Sequence, residues 1–182
     1  FFFLSGLVSW LAIFEIEVPS FLNRIIPLLY FMALSAPSLT AIVVRYVIIP
    51  ADLKSNNPLG HLFLKHEQVM HNWTIILLSV ELVLGTIEVL PEGVILGGFL
   101  GGIYFYFAYV WARFFGEYFV YDFIDPRPKS APYAIVGLVI AFGIFFMIMY
   151  TLYLILEWNQ WVGIPLVILF VQRSVLFNPP SN

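Results

Sequence analysis

The residues best suited to chemistry are a histidine and a glutamate ten positions apart in one apolar stretch, His71 and Glu81. Ten residues of α-helix rotate by about 1000°, which leaves the two side chains about 80° apart, on roughly one side of the helix. An ionisable group within a membrane span marks a functional site by default, because lipid tails cannot hydrate it. The alternative is that His71 lies in the headgroup zone and Glu81 only bonds a neighbouring helix.

The composition places this stretch in a membrane protein. Of the 182 residues, 62% are hydrophobic and only 10% are charged, whereas soluble domains carry about 25% charged residues. The chain has no cysteine, which excludes disulfides and thiolate chemistry, and its net charge of -3 argues against nucleic acid as a partner. We therefore predict an all-α fold, a polytopic transmembrane helix bundle of five to six helices that forms a single domain over residues 1–182.

The apolar runs predict where the helices lie. They are expected near residues 1–14, 25–49, 67–85, 93–115 and 131–157, with a shorter sixth element after residue 161. Residues 1–14 are too short to cross a bilayer and are interpreted as the end of a truncated first span. Residues 158–182 are interpreted as a C-terminal extension, which either crosses, lies along the surface or packs against a partner.

Basic residues predict the orientation. Five of them flank two connections, and they are Lys54, Lys65, Arg113, Arg127 and Lys129. The positive-inside rule places loops 50–66 and 113–130 on the cytoplasmic side, or on the matrix or stromal side in an organelle. Whether the membrane is an endomembrane or an organellar inner membrane stays open.

The second predicted helix, 25–49, contains a proline, two serines and an arginine that are expected to affect its geometry and hydrogen bonding. Pro37 removes a helical hydrogen bond and predicts a kink, while Ser35 and Ser38 are expected to bond the carbonyls that the proline leaves without partners. Arg45 lies near the end of this helix and is expected to extend its charge to the membrane interface.

Several motifs in order resemble one family. Met70-His71 is followed by an apolar run to Glu81, and Gly102-Ile103-Tyr104 comes later. Gly116 and then Val120-Tyr121-Asp122-Phe123-Ile124-Asp125 follow, with Asp122 in the place of a proline. Together with the apolar span 131–156, these resemble the androgen-induced, six-span membrane hydrolases that cleave fatty-acid esters of hydroxy fatty acids. The resemblance covers residues 27 to 156.

This resemblance implies a mechanism. The family uses a threonine nucleophile and a histidine inside the bilayer, so His71 is the implied base, and Ser5 or Ser9 is the candidate nucleophile in place of threonine. A histidine can take a hydroxyl proton near neutral pH, and an alcohol nucleophile needs such a base. Glu81 would orient polar groups, and Asn72 and Thr74 are the nearest candidate donors to an oxyanion.

The three histidines do not predict a metal site. His61, His66 and His71 are spaced by five residues, which is about 140° on a helix, so they do not share a face. No metal or other cofactor is therefore predicted.

Two functions from different classes stay open. The first is an intramembrane lipid esterase that acts on acyl esters, with membrane lipids as its partners. The second is a non-catalytic accessory subunit of a large membrane complex, perhaps organellar, that retains an enzyme fold as a packing unit. The C-terminal extension and the abundant aromatic side chains favour the second.

Overall fold

The computed structural model describes residues 1–85, 87–116, 125 and 127–180, and this part of the chain is all-α, with no strand. The α-helices are α1 (Phe2–Ile13), α2 (Ser20–Val43), α3 (Ile49–Lys54), α4 (Lys65–Gln68), α5 (Thr74–Leu84), α6 (Gly93–Trp111), α7 (Ala131–Trp158) and α8 (Gln160–Ser174). Three π turns continue helices: the first is Val44–Ile48, the second Val69–Trp73 and the third Ala112–Gly116. A short 3₁₀ turn, Gly60–Phe63, precedes α4.

Within the described residues, three helical segments have the length and composition of membrane spans. They are Ser20–Lys54 with 35 residues, Gly93–Gly116 with 24 and Ala131–Trp158 with 28. At a rise of about 1.5 Å per residue, each is at least about 36 Å long, which exceeds the roughly 30 Å hydrocarbon core of a bilayer. The all-α class and the membrane-span character of the chain are thus as predicted.

Helix α2 lies at the centre of the packing. Its buried residues Ile26, Tyr30 and Leu34 recur every four positions, which places them on one face of the helix. Phe31 is fully buried, and its ring centroid lies 3.7 Å from that of Phe146 on α7. The same apolar cluster takes in residues of α5 and α8, so α2 connects the helices that surround it.

The middle of α2 stays helical through its prolines. The hydroxyl of Ser35 donates to the carbonyl of Phe31 at 3.0 Å, and that of Ser38 donates to Leu34 at 2.6 Å. Both serines therefore bond backbone carbonyls, but not the carbonyls that they were predicted to bond. The carbonyl deprived of its partner by Pro37, however, lies four residues before the proline and is neither of these two. The kink at Pro37 stays a prediction.

Helices α7 and α8 form a tight hairpin. Asn159 joins them, and its side chain accepts a hydrogen bond from the backbone N–H of Trp161 at 2.9 Å, which caps α8. Gly163 packs directly on Leu156, with no room for a side chain between the two helices. Helix α8 packs on α2 and α5, and Arg45 and Asn72 of the first two π turns bond the residues at its end, so α8 runs back along the bundle.

The connection between α6 and α7 is described only in part. Residues 117–124 and 126 lie outside the described residues, and with them most of the motif from 120 to 125. Asp125 accepts two short hydrogen bonds from the guanidinium of Arg127, at 2.7 and 2.8 Å. This hydrogen bonding lowers the pKa of the Asp125 carboxyl. The ion pair therefore stabilises the loop at pH values above about 4, the ordinary pKa of aspartate. This stabilisation is lost as the pH falls through the lowered pKa of Asp125.

Candidate functional site

The second π turn carries the predicted base. The N–H of Thr74 bonds the carbonyl of Val69 five residues back, and the Thr74 hydroxyl donates to the same carbonyl at 2.8 Å. Thr74 was predicted as a donor to an oxyanion, but its hydroxyl instead closes the wide turn. Such turns occur often at functional sites, because the extra residue alters the direction of side chains. Here the turn presents His71 and Asn72.

His71 pairs with a carboxylate one helical turn earlier. Its Nε2 atom lies 2.8 Å from Oε2 of Glu67, and the side chains are 15% and 26% exposed. A carboxylate at Nε2 favours the tautomer with its proton there, which leaves Nδ1 as the acceptor. Nδ1 is buried and has no protein hydrogen-bond partner in the described chain. A buried polar atom without a partner costs about 1–3 kcal/mol.

This arrangement resembles a base held by an orienting group. A carboxylate that fixes one imidazole nitrogen leaves the other to exchange a proton with a reacting hydroxyl. Glu67 was not predicted as the partner of His71, although its spacing of four residues from His71 on a helix is a signal for such a pair. His66 also lies near this carboxylate, with its Nε2 atom 3.5 Å from Oε1 of Glu67.

Asn72 holds the segment that follows α8. Its amide nitrogen donates to the carbonyl of Leu176 at 2.7 Å, and its amide oxygen accepts from the Leu176 N–H at 3.1 Å. The same amide nitrogen also donates to the side chain of Gln68. Asn72 was predicted to face an oxyanion, but its polar atoms are engaged by the chain itself. The partner lies 104 residues away, and no local pattern indicates it.

The first π turn caps the end of α8. The Nη1 atom of Arg45 donates to the carbonyls of Gln172 and Val175, at 2.9 and 2.7 Å, and the Tyr46 hydroxyl donates to Arg173 at 3.0 Å. The last carbonyls of a helix lack partners within it and attract a positive charge. Arg45, Tyr46 and Asn72 together form what we call the C-terminal clasp. Arg45 was expected only to reach the interface, so this role was missed.

Both predicted nucleophiles lie on α1, apart from this site. The Ser9 hydroxyl donates to the carbonyl of Ser5 at 3.0 Å. Helix α1 packs on α2, where the ring of Phe1 lies 5.1 Å from that of Tyr30. In the described chain neither serine hydrogen-bonds to His71 or lines the cavity beside it. The structure therefore does not bring the predicted nucleophiles to the predicted base, and their catalytic role stays a prediction.

Glu81 lies farther along α5 and is half-buried. Three residues before it, the carbonyl of Leu78 accepts a hydrogen bond of 2.9 Å from the Tyr30 hydroxyl of α2, which joins this part of α5 to α2. The predicted role of Glu81 as a supporting residue of the site is not tested by this contact.

A small cavity lies between the second π turn and the clasp. Its volume is about 10 Å³, roughly the space that one water molecule needs. Its walls are formed by Ala41, Val44, Arg45, Ile49, Leu62, Phe63, Gln68, His71, Asn72, Ser174 and Leu176. A cavity of this size has no room for an acyl chain.

A second space lies elsewhere, on the outer surface of α7. This groove of about 820 Å³ runs from Pro91 and Val94 along residues 140–152 and has apolar walls. It does not include His71. In the described residues there is no cluster of three or more histidine, aspartate or glutamate side chains that could hold a metal.

Comparison of the chain with protein-family models, with curated proteins and with solved structures finds no match. The resemblance to the membrane hydrolases therefore stays a prediction based on the motifs.

Proposed function

We propose that the protein is a non-catalytic subunit of a larger membrane complex. The observation that carries this proposal is the use of the polar groups around His71. Arg45, Tyr46 and Asn72 all bond the backbone at the end of α8. These groups therefore stabilise helix packing, and the adjoining cavity has room for about one water molecule and none for an acyl substrate.

The outward faces of α6 and α7 support the same proposal. In the most apolar stretches of these helices only 11% and 17% of the residues are buried within the chain. Aromatic side chains such as Tyr106 and Phe107 are mostly exposed on α6. An added side chain at Gly98 or Gly102 would meet nothing within 4 Å. Lipids and neighbouring subunits are the partners that fit such surfaces.

Native purification tests the subunit proposal. We expect the tagged full-length chain, solubilised in a mild detergent, to migrate in native gels far above its own 20.9 kDa and its detergent belt. Cross-linking from Gly102→Cys should capture a neighbouring protein, whereas the same change at Ser55, in a connecting loop, is the control. Migration as a detergent-bound monomer, without cross-links from either position, would contradict the proposal.

The arrangement of spans is part of this proposal. Five to six helices would cross or enter the bilayer, with loops 50–66 and 113–130 on the side that attracts basic residues. The chain has no cysteine, so each introduced cysteine can be labelled alone. We expect an impermeant maleimide to reach Ser55→Cys and Ser130→Cys from one side and Glu17→Cys and Glu92→Cys only from the other. Labelling of positions 55 and 130 from opposite sides would refute this arrangement.

The second candidate is the intramembrane lipid esterase, and the pairing of His71 with Glu67 favours it. The serine hydroxyl would attack the acyl carbon while His71 takes its proton. His71 would then pass this proton to the departing alcohol, and water would hydrolyse the acyl-enzyme. Positioned acid–base groups contribute about 10²- to 10⁴-fold to such rates. The nucleophile on α1 would have to approach His71 when substrate binds.

Hydrolysis by membranes that contain the full-length chain tests the esterase. With an acyl ester of a hydroxy fatty acid, we expect His71→Ala to lower the rate at least about 100-fold. His61→Ala, a change at an exposed histidine, should leave the rate unchanged. Labelling with a fluorophosphonate should be lost in Ser5→Ala or in Ser9→Ala. Hydrolysis that survives the loss of His71 would end this mechanism, and the absence of any hydrolysis in the purified chain would favour the subunit.

A further inference from the structure

The cavity beside His71 combines features that together indicate a bound water. Nδ1 of His71 is buried and has no protein partner in the described chain, and His71 forms part of the cavity wall. The volume of about 10 Å³ is close to the minimum for one water molecule. A water in such a site needs two to four polar partners, so the other polar groups of the wall determine whether a water molecule can be held there.

Three donor atoms of the cavity wall already have hydrogen bonds to the protein. The amide nitrogen of Asn72 donates to Gln68 and Leu176, and the hydroxyl of Ser174 donates to the carbonyl of Phe170 at 2.8 Å. Nη1 of Arg45 donates to two carbonyls at the end of α8. No side chain of the described chain hydrogen-bonds to Nδ1, so its lone pair lacks a protein donor.

A water molecule would complete these bonds. It can donate one hydrogen to Nδ1 of His71 and the other to the hydroxyl oxygen of Ser174, which still has acceptor capacity. It can accept from Arg45 or Gln68, because among the described residues neither Nη2 of Arg45 nor Nε2 of Gln68 has a hydrogen bond. This gives three bonds, which is the typical number for a buried water.

We infer that the cavity binds one ordered water, which donates to Nδ1 of His71 and joins this histidine to the C-terminal clasp. His71 then has a partner at both ring nitrogens, Glu67 at Nε2 and the water at Nδ1. The inference does not depend on either proposed function.

Several charged and titratable groups lie around this water. Glu67 on α4 bonds the His71 ring at Nε2, and Arg45 on the first π turn forms part of the cavity wall. His66 lies on the outer side of Glu67. On the 3₁₀ turn, His61 instead lies 3.0 Å from the carbonyl of Pro58 through its Nδ1. On α8, Arg173 is exposed, so it is open to screening by solvent.

Nitrogen-15 solid-state NMR of the full chain in lipid bilayers tests the inference directly. The chain has three histidines, so His61→Gln and His66→Gln leave the His71 signals to be identified by elimination. At neutral pH we expect His71 to carry its proton on Nε2 and to show magnetisation transfer from water to Nδ1. A neutral ring protonated at Nδ1, or one whose Nδ1 has no water contact, would overturn the inference.

A variant that fills the cavity provides the matched comparison. Ser174→Val places a methyl group where the hydroxyl lay, and we expect it to abolish the water contact of Nδ1. Ser79→Val makes the same change at a buried serine of α5 outside the cavity wall, and the contact should persist there. Equal contacts in the two variants would refute this position for the water. If Ser174→Val does not fold, the spectra of the unaltered chain still test whether a water molecule contacts Nδ1 of His71.

Discussion

Replacing Asn72 by alanine is expected to lower the free energy of unfolding by about 2–4 kcal/mol, because it leaves two backbone groups without partners. Asn72 is only 4% exposed, and its amide bonds both the N–H and the C=O of Leu176. Alanine removes both bonds and cannot replace them. The end of α8 then loses its connection to the second π turn, although Arg45 still caps the helix.

Unfolding in detergent micelles and hydrogen exchange together measure this effect. The exchange of the Leu176 amide should accelerate in Asn72→Ala, while amides in the middle of α2 keep their protection. Asn178→Ala is the matched control, because Asn178 lies on the same C-terminal segment, is exposed and has no hydrogen bond among the described residues. If the two variants were equally stable, the clasp would not contribute to the stability of the fold.

Valine at position 163 should separate α7 from α8 and destabilise the protein by about 3 kcal/mol, at the upper end of overpacking effects. A Cβ atom at Gly163 would lie 2.7 Å from Cδ2 and 2.8 Å from Cα of Leu156. The Cδ2 atom can move by a rotation of its side chain, but the Cα atom belongs to the backbone of α7. The clash can therefore be relieved only if one helix moves.

Gly137→Val is the control for this change. Gly137 also lies inside a helix, and a Cβ atom there would meet nothing within 4 Å. Both variants exchange glycine for the same β-branched residue, so helix propensity cancels in the difference between their unfolding free energies. Adding Leu156→Ala to Gly163→Val should recover only part of the loss, since the backbone contact remains. A full recovery, or equal stabilities of the two valine variants, would show that the backbones are not in contact.

The course of the helices was predictable because hydropathy and length determine it. The predicted helix 131–157 corresponds to α7 (Ala131–Trp158), and the element expected after 161 corresponds to α8 (Gln160–Ser174). The start of α2 was placed at 25, whereas the helix begins at Ser20. The first turn of α2 contains exposed polar residues. Its low hydropathy therefore predicted a loop in place of a helix. A helix end in water has no apolar signal to mark it.

The candidate site was predictable only where it is local. The pairing of Glu67 with His71 follows from their spacing, but the carboxylate predicted to act with His71 was Glu81, which comes later in the chain. The helical rotation between His71 and Glu81 also assumed a regular α-helix, and the second π turn invalidates that assumption. The bonds from Asn72 to Leu176 join residues that only the packing of α8 brings together, so no sequence pattern predicts them.

The second π turn also has a consequence for changes in chain length. A π turn contains one more residue than an α turn does, so deletion of one residue there can restore a regular helix. The helices on either side would keep their directions, and the buried residues Leu78 and Leu82 would stay in the core. Asn72 and His71, in contrast, would turn away from Leu176 and Glu67. In related sequences, deletion or insertion of one residue at this turn can thus remove or restore the contacts of His71 and Asn72 while the helix bundle is retained.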